Sequence, residues 1–167
     1  MRLFQIKTFV IEPTLQRMGS KYATRVAVQL LLDTIAVESQ GKHIDQRLSS
    51  TDETLGPAIG LYQIEPATHH DVFVNFLLGS AKHSMLRMKV LELRADHPDP
   101  HTQLATNLSY ATAVARTIYF RAPEALPDEF DLDGIWEYYK KHWNSFLGAT
   151  DKEQFMWHHR AHVAPII

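Results

Sequence analysis

Among the residues able to do chemistry in this chain, Glu38 has the most suggestive surroundings. It closes a long apolar helical pattern as Val37-Glu38-Ser39-Gln40-Gly41, and downstream the chain reads Gly60-Leu61-Tyr62-Gln63-Ile64-Glu65-Pro66. A carboxyl group held partly away from water stays protonated near neutral pH. It can then donate to an oxygen leaving a stable bond, which is what cleavage of a glycosidic linkage demands. The negative end of a helix dipole disfavours ionised Glu38 further. Gln63 brings an amide that both donates and accepts, and Gly60 permits close backbone approach. Tyr62 and Trp143 offer faces on which a sugar could stack. Asn107 either satisfies backbone groups or faces a cleft. Asp45, Asp52, Glu53 and Glu65 are candidates for a second carboxylate, although acidic residues of this kind are mostly solvated.

These residues resemble the motifs of the lysozyme-like soluble lytic transglycosylases and the related goose-type lysozymes, which carry Glu-Ser near a helix end followed by Gly-Leu-Met-Gln. Here the motifs read Glu38-Ser39 and Gly60-Leu61-Tyr62-Gln63. Asn107-Leu108 is similar to the family's third helix and His142-Trp143-Asn144 to its Ala-Tyr-Asn element, so the resemblance spans residues 22–144. The block around Trp136 to Asn144 also resembles small bacteriophage proteins of this class.

The resemblance implies a mainly α-helical, lysozyme-like domain that cleaves the β-1,4 bond between N-acetylmuramic acid and N-acetylglucosamine in the glycan strand of peptidoglycan. Glu38 is then catalytic, and Ser39, Gly60, Tyr62, Gln63, Trp143 and Asn144 bind substrate. Glu38 first protonates the leaving oxygen, the substrate's acetamido group answers the positive charge, and Glu38 then removes the muramoyl 6-hydroxyl proton to close a 1,6-anhydro ring. Two positions depart from the pattern. Tyr62 stands in place of methionine, and Trp143 in place of a tyrosine whose hydroxyl would reach the carboxylate. An indole only donates, which leaves that hydroxyl to Tyr62, Tyr138 or Tyr139. The alternatives are a hydrolytic muramidase of the same fold and a structural virion protein with a weak or inactive site. In the latter, Phe155, Trp157 and the apolar segment Val163-Ala164-Pro165-Ile166-Ile167 would meet other phage virion proteins.

The elements that must position these residues fit one core, because 167 residues with 45% apolar content suit one domain. We divide the chain into an N-terminal arm, residues 1–19, and a domain, residues 20–167. A net charge of -2 with dispersed Lys and Arg speaks against nucleic acid, and the absence of cysteine excludes disulfides and thiolate chemistry. The pairs His69-His70 and His158-His159 point about 100° apart on a helix and read as solvated faces, so no metal and no cofactor is expected. No apolar run has the length of a membrane span, and Arg2, Gln5 and Lys7 interrupt any signal-peptide core. The expectation is delivery to the host periplasm or cell wall by a phage virion or through a lesion at lysis.

Along the chain, the pattern predicts an extended arm or strand over 3–11 that stops at Pro13. A helix over 22–37 comes next, capped by Ser20 and stopped by Gly41. A polar insert over 42–56 belongs to a small hairpin within 42–64. Pro66 opens a helix to about Leu78, and another covers 85–93. After the break at His97-Pro98-Asp99-Pro100 come helices over 103–120 and, capped by Asp133, over 134–143. A Thr150 and Glu153 capping box opens the last, over 154–162.

Overall fold

The segment Arg25–Glu38 (α2) carries apolar side chains on every side, and a helix of that kind belongs inside a protein. In the computed structural model, which describes residues 2–47, 55–144 and 149–167, every α2 position from Ala27 to Ala36 is buried. A second central helix, Leu108–Phe120 (α6), is buried from Tyr110 to Tyr119. The fold is mainly helical, with a single two-stranded antiparallel sheet among the described residues. Around α2 and α6 lie α1 (residues 3–18), α3 (residues 66–77), Ser84–Leu91 (α4), Gln103–Thr106 (α5), α7 (residues 132–144) and α8 (residues 152–163). Two hydroxyl pairs stitch the centre: Thr34 Oγ1 to Tyr119 Oη at 2.7 Å, and Tyr62 Oη to Thr112 Oγ1 at 3.0 Å.

The N-terminal segment corrects the expectation of an extended arm, because residues 3–18 are helical and place Ile6, Ile11, Leu15 and Met18 in the same core as α2. A wider π-type turn over Lys7–Ile11 inserts one residue, which sets Ile6 and Ile11 five apart on one face. That turn precedes Pro13, whose missing N–H and bulky ring a regular helix would not accommodate.

Local caps shift several boundaries. Ser20 lies in a 3-10 turn, and Thr24 caps α2 by accepting from the Ala27 amide at 3.3 Å. Asn107 divides the predicted 103–120 helix, accepting from Tyr110 N at 3.1 Å and donating to Leu93 O at 2.8 Å, so its role is backbone satisfaction. Asp131, rather than Asp133, caps α7, and the last capping box pairs Asp151 with Gln154. The hairpin forms as Asp45–Arg47 (β1) against Leu55–Ile59 (β2), inside the predicted region.

Candidate active site

Glu38 is the last residue of α2, and the turn after it fixes where its carboxyl points. Gln40 and Gly41 take left-handed conformations (φ 54° and 65°) that lead the chain away, while Ser39 stays buried. The Ser39 hydroxyl donates to Leu61 O at 2.7 Å. Leu61 belongs to Gly60-Leu61-Tyr62-Gln63, the tip of a tight turn closed by reciprocal backbone bonds between Ile59 and Ile64. One hydrogen bond therefore joins the two sequence motifs. Gly60 is required in that turn on two counts: its φ is +79°, and a Cβ would lie 2.0 Å from Leu104 O.

An open cleft of about 490 Å³ lies at this junction, walled by Glu38, Gln63, Trp143 and Asn144 together with Asp45 and Glu65. The Tyr139 hydroxyl donates to Glu38 Oε1 at 2.7 Å. Trp143 also acts as a donor to this carboxyl. Burial pushes the Glu38 carboxyl up to about 7, and the Tyr139 and Trp143 donors offset part of that rise by favouring the ionised form. Beside that carboxylate, burial also drives the Tyr139 phenol well above its ordinary value, so it remains a donor. Glu38 thus occupies the pKa range in which one carboxyl can give a proton and later take one.

Of the sequence candidates, Glu38, Gln63, Trp143 and Asn144 share the cleft, whereas Ser39 and Tyr62 stand behind its wall. Tyr62 is only 2% exposed, with its hydroxyl held by Thr112, so it supports Trp143 at 6.3 Å between ring centroids and offers no stacking face. Trp143 stacks on Tyr119 at 5.1 Å. Gln63, with φ 50°, donates from Nε2 to Gly60 O at 2.8 Å, so its amide nitrogen holds the turn. Asn144 accepts from Lys140 Nζ at 2.7 Å and ties the chain near Thr150 to the rim. Tyr139 is the residue the motifs did not single out. The signal for it was the departure at Trp143, which left a hydroxyl to be supplied by another tyrosine. Asp52 and Glu53 lie outside the described residues.

Elsewhere, the larger hollow of about 760 Å³ between α1 and α2 has its charges already joined, Lys7 to Glu12 at 3.7 Å and Arg25 to Glu129 at 3.5 Å. The histidine pairs are not solvated faces throughout. His69 is buried against the Tyr110 hydroxyl at 2.8 Å, and His159 is buried against Asp33 at 2.8 Å. Among the described residues no group of three or more His, Cys, Asp or Glu gathers to hold a metal. Nor is any described helix long and apolar enough to cross a membrane.

No protein-family model, curated protein or solved structure matches this chain.

Proposed function

We propose that the chain is a peptidoglycan-cleaving lytic transglycosylase with a lysozyme-like site, in which Glu38 acts first as general acid and then as general base. The observation that carries this reading is the Glu38 carboxyl itself, set at the end of a buried helix, facing an open cleft, held by the Tyr139 hydroxyl and raised to about 7. When a glycan strand lies in the cleft, protonated Glu38 gives its proton to the leaving glycosidic oxygen. The Tyr139 donor steadies the carboxylate so formed. That carboxylate, with its high pKa, then accepts the muramoyl 6-hydroxyl proton as the anhydro ring closes, so one residue serves both steps. Trp143 and the rim at Asn144 bound the space for the sugars, and use by a bacteriophage at the start of infection or at lysis belongs with this reading.

A second reading, hydrolysis of the same bond, draws support from Asp45 and Glu65 in the same cleft, since a second carboxylate can activate water or act as nucleophile. Clearing of a suspension of purified cell walls tests the shared part of both. Wild type should lower the turbidity, and a folded Glu38→Gln variant should lose the activity on the order of a hundredfold or more. An equally active variant would remove Glu38 from the chemistry.

A further inference from the structure

The opposite end of α2 from Glu38 holds a second feature that the glycosidase reading leaves unused. Arg116, on α6, is 3% exposed, and its Nε donates to a carbonyl, Tyr22 O, at 3.1 Å. Its Nη1 is buried with no hydrogen-bond partner, and no carboxylate pairs with the guanidinium among the described residues. Burial lowers Arg116 to about 10, which leaves it charged at neutral pH. A second cation stands beside it: Lys21 Nζ lies 4.9 Å and 5.5 Å from the ring centroids of Tyr22 and Phe120, and the Arg116 guanidinium lies 5.9 Å and 5.5 Å from the same two rings. Aromatic faces offset only part of the cost of burying such a charge.

Both cations line a hollow of about 550 Å³ whose wall also includes Thr24 and Val26, the start of the 14-residue helix α2. The Thr24 cap takes the Ala27 amide, so the amide of Val26, on this wall, remains without an intrahelical acceptor at the positive end of the dipole. The carboxylate on this rim, Glu124, is already paired with Lys141. Donors and positive charge therefore converge on one space.

We propose that this hollow binds an oxyanion, the carboxylate or phosphate group of a small ligand, between Lys21, Arg116 and the Val26 amide in the first turn of α2. The site is separate from Glu38 and does not rest on the glycosidase reading. The test is a titration of the 15N-labelled protein with inorganic phosphate and, separately, with acetate, each at ionic strength held constant with chloride. Saturable shifts of the Val26 amide are expected. Phosphate alone producing them identifies a phosphate group as the ligand chemistry, acetate alone a carboxylate, and both a general oxyanion site. In Lys21→Gln, an exposed change that leaves the core intact, affinity should fall about tenfold, the worth of one charged hydrogen bond. Arg116→Lys, which keeps the charge but removes the fork, should also weaken binding. No saturable shift with either anion, or unchanged affinity in Lys21→Gln, overturns the proposal.

Discussion

A carboxyl raised to about 7 is half protonated at neutral pH, and that gives Glu38 a pH signature. Because the first step needs the protonated form, the rate should fall as pH rises through about 7, an alkaline limb read from initial rates of wall lysis. Tyr139 lowers the Glu38 pKa by donating to its ionised form. Tyr139→Phe should therefore move that limb to higher pH while cutting the rate by about tenfold, the usual worth of a charge-assisted hydrogen bond. A limb that stays in place would show that some other group titrates. The same carboxyl also makes a stability prediction. A folded pKa above the unfolded one means that the protonated form is favoured below 4.5 and that this advantage is lost as pH rises through about 7. Glu38→Gln never ionises. It should be more stable than wild type at pH 8 by on the order of 3 kcal/mol and no more stable at pH 4, as measured by urea unfolding.

At the scale of elements, the cleft depends on one joint, where the end of α2 meets the Gly60-Leu61-Tyr62-Gln63 turn through the Ser39 hydroxyl. Gly60→Ala forces a Cβ against the Leu104 carbonyl and strains a left-handed backbone. The expected cost is about 2 kcal/mol or more, with a loss of lysis even in the fraction that folds. Normal stability and activity in that variant would show that the turn has room to shift. The existence of this joint was legible in the sequence, since Glu38-Ser39 at a helix end and a glycine-led turn are local signals. Its division of labour was not. Nothing local distinguishes Tyr62, which turns inward to Thr112, from Tyr139, which turns toward Glu38, because each contact is set by packing between distant helices. The extended reading of residues 3–11 failed for a related reason. The π-type turn that lets a helix pass Pro13 spaces Ile6 and Ile11 five apart, a period that fits neither a strand nor a regular helix.

For the molecule as a whole, the C-terminal helix is part of the frame that holds α2. Phe155 and Val163 are fully buried and belong to the core, which removes these two from any interaction surface, while Trp157 remains 58% exposed and Ala164, Pro165 and Ile167 are exposed as well. Asp33 and His159, 126 positions apart, join α2 to α8. No one-dimensional pattern marks such a pair, so both histidine doublets read as solvated from sequence. Burial raises Asp33 to about 6, and the hydrogen bond and charge of His159 restrain that rise. His159→Gln removes the restraint. At pH 8 an ionised Asp33 would then lose the His159 hydrogen bond, costing about 2 kcal/mol, whereas near pH 5 Asp33 is largely protonated in either protein and the cost should shrink. Paired urea unfolding curves at the two pH values check this, and a loss independent of pH would assign His159 to packing alone.

Above all, the proposed transglycosylase chemistry requires Glu38 alone to perform both proton transfers. Purified peptidoglycan digested by wild type and by Glu38→Gln, with the released muropeptides analysed by mass spectrometry, tests this most directly. The predicted result is 1,6-anhydromuramoyl ends from wild type and none from the variant. Reducing ends that vanish in the variant would contradict the transglycosylase chemistry in favour of hydrolysis, and a folded wild type that releases nothing from walls of several types would contradict the enzymatic reading altogether.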